Sequence, residues 1–256
     1  MILAIDVGNT QIFAGVFEQD KLIASFRWSS HYAASSDEYG LFLRSALREN
    51  DIDPDHIKNI GICSVVPERV HSLANCSAKY FGIKPFVLKA GVKTGLKIKY
   101  QNPREVGPDR IADAIAVTHL YPNQNILVID FGTATTIEVI TKRKEYLGGA
   151  IFPGVRLCME ALEKNTSRLP SVEIVKPSSV VGRTTTESIQ NGLFYGTLGA
   201  IKEMKHNILS TTFTGEPTLT VGTGGFASLF EAEDLFDERQ PNLVLQGLYI
   251  AMGMNL

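Results

Sequence analysis

Two short segments each put an aspartate near the end of an apolar run, with a glycine two residues later: Leu3-Ala-Ile-Asp-Val-Gly-Asn-Thr10 and Leu127-Val-Ile-Asp-Phe-Gly-Thr-Ala134. Without a Cβ at Gly8 or Gly132, backbone N–H groups can close on an anionic ligand, and the hydroxyls of Thr10, Thr133 and Thr135 can add donors. A carboxylate repels phosphate, so Asp6 and Asp130 read as holders of Mg²⁺, a monovalent cation or a metal-bound water beside the phosphates. One Asp-x-Gly-Asn is ordinary turn chemistry. Two copies in the same strand-to-hairpin setting, half a chain apart, predict a duplicated half with two facing loops and a nucleotide held between two lobes.

A third constellation is Tyr100-Gln-Asn-Pro-Arg-Glu-Val-Gly-Pro-Asp-Arg-Ile-Ala-Asp113. Gly107-Pro108 forces a turn that puts Asp109 and Arg110 in the first turn of a helix. An aspartate there can simply cap orphan N–H groups and complement the helix dipole. It can equally accept a hydrogen bond from a substrate hydroxyl while Arg110 neutralises a substrate carboxylate or phosphate. Thr220-Val-Gly-Thr-Gly-Gly-Phe-Ala227 mimics a dinucleotide fingerprint, but too little chain follows it for the remaining βαβ units, so it reads as a turn on the base and ribose side. The sequence holds no Gly-x-x-x-x-Gly-Lys-Ser/Thr.

The elements that must position these groups alternate between α and β. Ser35-Ser-Asp-Glu38 predicts a capping box and a helix to about Asn50. Strands are expected at 59–66, 85–88, 126–131, 135–141 and 218–221, and helices from Pro67, over 108–120, 154–165, 185–209 and 242–254. Two lobes are expected, 1–118 and 119–256. Gly192, Gly196 and Gly199 predict close helix packing, as a dimer seam or in the interior. Trp28 reads as packed in the first lobe.

With 25 basic and 27 acidic residues and a net charge of −2, nothing favours nucleic acid as principal ligand. Met1-Ile-Leu-Ala-Ile reads as a first strand and not a signal peptide. The late apolar run from Leu243 to Met254 is too short to span a bilayer. Cys63, Cys76 and Cys158 show no Cys-x-x-Cys spacing and read as reduced cytoplasmic thiols. His31, His56, His71, His119 and His206 lack metal-ligand spacing.

Taken in order, Asp6-x-Gly-Asn-Thr10, Gly107-Pro-Asp-Arg110, Asp130-Phe-Gly-Thr-Ala134, Gly148-Gly-Ala-Ile-x-Pro-Gly154, Gly182-Arg-x-Thr-x-Glu187 and Thr223-Gly-Gly225 resemble a type III pantothenate kinase over nearly the whole chain. The resemblance implies a duplicated ribonuclease-H-like, actin-like ATPase fold with ATP in the cleft, usually as a homodimer. It implies transfer of the γ-phosphoryl group of ATP to the primary hydroxyl of pantothenate, the first committed step towards coenzyme A. In family terms Asp6, Val7, Gly8, Asn9, Thr10, Gln11, Ile12 and Phe13 form the first phosphate loop, and Thr133 touches ATP. Asp109 is the proton acceptor, and Tyr100, Gly107, Pro108, Asp109, Arg110 and Thr185 bind pantothenate. Asp130 holds a monovalent cation, K⁺ or NH₄⁺, while Asp6 serves Mg²⁺ through water. The family often has Asn at the place of Thr184, which leaves Thr184, Thr185 and Thr186 open as the substrate contact. Two other readings are a regulator akin to the Bvg accessory factors and a kinase of another small hydroxy acid; the intact set Asp6, Asp109 and Asp130 favours an enzyme.

Overall fold

The computed structural model describes residues 1–30 and 34–256; His31 lies outside the described residues. The chain divides into two compact units. One comprises Met1–Leu96, Tyr100–Leu120 and Leu243–Leu256, the other Lys97–Lys99 and Tyr121–Asn242.

The first unit is built on β1 (Ile2–Val7), β2 (Gln11–Glu18), β3 (Lys21–Ser29), β4 (Asn59–Ser64) and β5 (Phe86–Val87). Their order is β3-β2-β1-β4-β5. The first three strands run antiparallel in sequence, and β4 and β5 join parallel to β1. Leu3, Ile5 and Val7 of β1 and Ile12, Ala14 and Val16 of β2 share a core with Tyr39, Leu43 and Leu47 of α1 (Ser36–Glu49) and Leu73 and Cys76 of α2 (Pro67–Phe81). Strand side chains alternate between faces, so Asp6 of β1, Phe13 of β2 and Cys63 of β4 leave the sheet on the opposite side.

Local chemistry sets the helix ends. The Ser35 hydroxyl accepts from the Glu38 N–H and the Glu38 carboxylate accepts from the Ser35 N–H, the reciprocal pair that the sequence predicts. Pro67 occupies the first turn of α2, which stops at left-handed Gly82. Trp28 packs against the first core and lies 4.6 Å from Phe42, ring to ring, as expected. Helix α3 (Pro108–Leu120) carries Asp109 in its first turn and is buried from Arg110 to Thr118.

The second unit repeats the plan with β6 (Lys97–Ile98), β7 (Asn125–Phe131), β8 (Ala134–Ile140), β9 (Glu145–Pro153), β10 (Thr218–Thr223) and β11 (Glu238–Arg239). The order β11-β10-β7-β8-β9-β6 contains the first sheet's order with β6 added at one edge. Both sheets break register at the equivalent place, Val16/Phe17 and Val139/Ile140. Helices α4 (Val155–Asn165) and α5 (Thr185–Thr212) cover the face bearing Ile129, Phe131 and Ile137.

The chain then returns to the first unit as α6 (Leu243–Asn255), which packs on α3 and on β1, β2 and β4. The approach to α3 is close because Gly247 has no side chain: a Cβ there would lie 1.8 Å from the Ala112 carbonyl oxygen. The glycines of α5 behave differently. Gly192, Gly196 and Gly199 are exposed, and a Cβ at any of them meets nothing within 4 Å, so the interior packing offered as one reading of their spacing is not formed.

Candidate active site

In the first unit, the hairpin after β1 is closed by the Gly8 N–H donating to the Gln11 carbonyl and the Ser30 N–H donating to the Thr10 carbonyl, both at 3.0 Å. Asn9 and Gln11 are exposed, and Asp6, Gly8 and Thr10 are half-buried. Val7 and Ile12 point into the core beneath α1 and α2, so they can offer a ligand only their backbone. Phe13 is buried, with the Arg27 guanidinium over its ring.

The Asp109 turn forms as the sequence requires. The Gly107 carbonyl accepts the Ile111 N–H at 3.1 Å, and Pro108 takes the first helical position. The Asp109 carboxylate folds back on its own turn, accepting the Arg110 N–H at 2.8 Å. A Cβ on Gly107 would lie 2.4 Å from that same carboxylate oxygen, so glycine is what admits this conformation. Burial raises the Asp109 pKa above the usual carboxylate range, opposed by the Arg110 N–H and the Arg110 charge. That is the direction a proton acceptor needs.

Residues far apart in sequence meet here. Asp6 and Cys63 are register partners on β1 and β4. Burial, followed by the charges of Asp6, Asp109 and Asp113, pushes the Cys63 thiol far up, so it stays protonated and bonds to Asp6. Asp6 and Asp109, both expected at the site, therefore lie around one buried thiol together with Asp113. The sequence alone assigns neither Asp113 nor Cys63 a place at the site. Asp113 had a signal, its four-residue spacing from Asp109 on one helix face; Cys63 is revealed only by strand pairing. Tyr100 is half-buried and Arg110 is buried in the same unit.

In the second unit, Gly132–Ala134 separate the paired Phe131 and Thr135, whereas Gly8–Gln11 separate Val7 and Ile12, so the second loop is one residue shorter. The Asp130 carboxylate lies against bare backbone. A Cβ on Gly224, whose φ is +88°, would sit 2.2 Å from one of its oxygens, and one on Gly132 would sit 3.4 Å from the other. The Thr133 carbonyl accepts the Gly154 N–H at 3.1 Å, tying the loop to the start of α4. Thr136, the partner of Asp130, shares its face; Thr135 points the other way, fully buried, and is not among the donors beside Asp130. At α5, Thr184 is the cap, its hydroxyl accepting the Glu187 N–H at 3.1 Å, which leaves Thr185 exposed as the first helical residue.

A cavity of about 450 Å³, lined by Asn125, Lys142, Glu216 and Asp237 among others, opens at the other end of β7 and β10, away from Asp130. Its polar groups are bonded to one another: the Asn125 amide and the Lys142 ammonium both donate to Glu216 at 2.8 Å. Among the described residues no three His, Cys, Asp or Glu side chains form a ready metal-binding group, and no helix is long and apolar enough to cross a membrane.

Two sheets of one order, each with an aspartate near the end of its central strand, define a duplicated ribonuclease-H-like fold of the actin-like ATPase class. A ROK family glucokinase from Streptomyces griseus shares it at a TM-score of 0.52 and 12% identity, over 98% of this chain and 99% of that one. A Campylobacter jejuni protein described under the Baf family of transcriptional activators shares it at 0.60 and 18%, over 98% and 97%. The type III pantothenate kinase family model matches residues 2–207. A Legionella pneumophila (strain Corby) protein named type III pantothenate kinase is 58% identical over 255 residues, covering 100% of this chain and 99% of that protein. The chain belongs to the type III pantothenate kinase family.

Proposed function

We propose that this chain transfers the γ-phosphoryl group of ATP to the primary hydroxyl of pantothenate, giving phosphopantothenate and ADP at the entry to coenzyme A synthesis. The observation that carries this reading is the Asp109 turn: a half-buried carboxylate with a raised pKa, next to a buried arginine, at the N-terminus of α3. Asp109 accepts the proton of the hydroxyl as the oxygen attacks phosphorus and the bond to the β–γ bridging oxygen breaks, while Arg110 and Tyr100 hold the acid end of the acceptor. Thr185 contacts the same substrate. Transfer of this kind depends on positioning and charge stabilisation, for which one aimed carboxylate suffices. ATP as donor is supported by the glucokinase of like fold, which is in complex with glucose and AMPPNP.

Asp6 to Phe13 and Thr133 form the nucleotide's phosphate contacts. Asp130, cradled by Gly132 and Gly224, suits a monovalent cation such as K⁺ or NH₄⁺, and Asp6 suits Mg²⁺ through water, since hard cations take oxygen donors. Those ions, when bound, supply positive charge beside the phosphates. The protein works as a homodimer in the cytoplasm; support for the first comes from the exposed Gly192, Gly196 and Gly199 on α5, and for the second from the free thiols Cys63, Cys76 and Cys158.

An acceptor screen tests the reading: ADP release with ATP, Mg²⁺ and K⁺ against pantothenate and other small hydroxy acids. Pantothenate should give the highest kcat/KM by a wide margin. Equal turnover of another hydroxy acid would reassign the substrate, and no turnover with any acceptor or monovalent cation would end the enzyme reading.

A further inference from the structure

A row of side chains crosses the first sheet at the level of Asp6. Pairing sets Cys63 beside Asp6 on β4, Phe13 beside Asp6 on β2, and Arg27 beside Phe13 on β3. Their neighbours Val7, Ile12, Ile62 and Trp28 pack into the core under α1 and α2, so all four of the row leave the sheet on the other face, the one that carries Asp109. Arg27 Cζ lies 3.5 Å from the centre of the Phe13 ring. The ring is buried and therefore fixed, and it holds the guanidinium beside the strand that leaves the Gly8–Gln11 loop.

Three features set this arginine apart. Its guanidinium makes no ion pair or hydrogen bond to a protein group among the described residues. Its side chain is exposed and only partly desolvated, which lowers its pKa, yet an arginine stays charged at any working pH. The equivalent row of the second sheet reads Thr223, Asp130, Thr136 and Ile151, with no cation, so the duplicated fold does not require one.

We propose that Arg27 is a further catalytic residue of the phosphoryl transfer: stacked on Phe13 and level with Asp6, its guanidinium bonds the terminal phosphate oxygens of the nucleotide and bears the charge that builds there. This rests on the kinase reading above. A planar fork of donors fits phosphate oxygens better than a point charge does. Arg27 lies two strands from Asp6, directly beyond the strand that follows the phosphate loop, whereas the substrate carboxylate already has Arg110 on α3.

The test compares wild type with Arg27→Met, which keeps an apolar stem over Phe13, and Arg27→Lys, which keeps charge. Arg27→Met should lose about 10²-fold in kcat, the usual loss for one transition-state donor, while KM for pantothenate stays within about twofold. Its preference for AMPPNP over ADP, measured by calorimetry without pantothenate, should shrink by about tenfold, with Arg27→Lys intermediate. The proposal is overturned if Arg27→Met turns over within about threefold of wild type, or if AMPPNP and ADP weaken equally, which marks a packing role. Weakened pantothenate binding with unchanged nucleotide binding would also overturn it, making Arg27 a carboxylate contact. Should wild type prove inert on pantothenate, the kinase reading falls alone, and the AMPPNP-to-ADP comparison still decides the role of Arg27.

Discussion

Replacing Gly247 by Ala should damage both stability and turnover, although residue 247 is on a helix remote in sequence from every expected site residue. The new Cβ would sit 1.8 Å from the Ala112 carbonyl oxygen, 2.4 Å from its carbon and 2.9 Å from its Cα. All three are backbone atoms of α3, so no flexible side chain can yield. Restoring ordinary contact, about 3.5 Å, needs α3 and α6 to part by more than about 1.5 Å. Overpacking of this kind costs up to about 3 kcal/mol, and the better helix propensity of alanine returns about 1 kcal/mol. The net loss is about 2 kcal/mol, or a fall in Tm of roughly 4–8 °C for a chain of this size. Because α3 carries Asp109 and Arg110, a shift of that size should also lower kcat by about 10²-fold. Thermal melting and ADP release measure the two effects. Gly253→Ala is the control, since its Cβ meets nothing within 4 Å on the same helix. A Gly247→Ala variant that melts with wild type and turns over normally would refute the packing argument.

Three further outcomes follow from the same geometry. Gly107→Ala should leave melting nearly unchanged, because the atom it meets is the end of the Asp109 side chain, yet cut turnover by about 10²-fold by displacing that carboxylate; normal kinetics would contradict this. Gly224→Ala forces a left-handed φ of +88° on alanine and drives its Cβ into Asp130 and the Phe131 backbone, so urea unfolding should show a loss of at least about 2 kcal/mol, while Gly225→Ala, with open space, should be near neutral. The raised Asp109 pKa puts the acid limb of kcat/KM above the ordinary carboxylate range, with activity rising as pH rises through it. The sign for stability is the reverse. A raised folded-state pKa favours the folded state below the unfolded pKa, and that benefit is lost as pH rises through the folded value. Asp109→Asn should therefore be at least as stable as wild type at neutral pH, and a large drop in Tm would argue against a desolvated carboxylate there.

Local signals are legible in the sequence because each is complete within a few residues. The capping box at Ser35 and Glu38, Pro67 and Pro108 at helix starts, and the paired Asp-x-Gly hairpins all appear where turn and cap chemistry puts them. What escaped depends on partners distant in the chain. β3 is an edge strand, and without its pairing to β2 the neighbour of Phe13 could not be named. Cys63 joins the site only through its pairing with Asp6. The final helix was legible from its apolar run, but its contact with α3 rests on Gly247 meeting Ala112, which no local pattern reveals. The spacing of Gly192, Gly196 and Gly199 marks a face that α5 leaves open within this chain, because small residues signal close approach without naming the partner.

The central claim is that Asp109 takes the proton from the hydroxyl of pantothenate as phosphorus is transferred. Single-turnover conversion of ATP and pantothenate, followed by mass of the product, tests it in wild type and Asp109→Asn side by side. Wild type should yield one phosphopantothenate per ADP, and the folded variant should be slower by at least about 10²-fold in the transfer step. Product formation by Asp109→Asn at close to the wild-type rate would contradict the account.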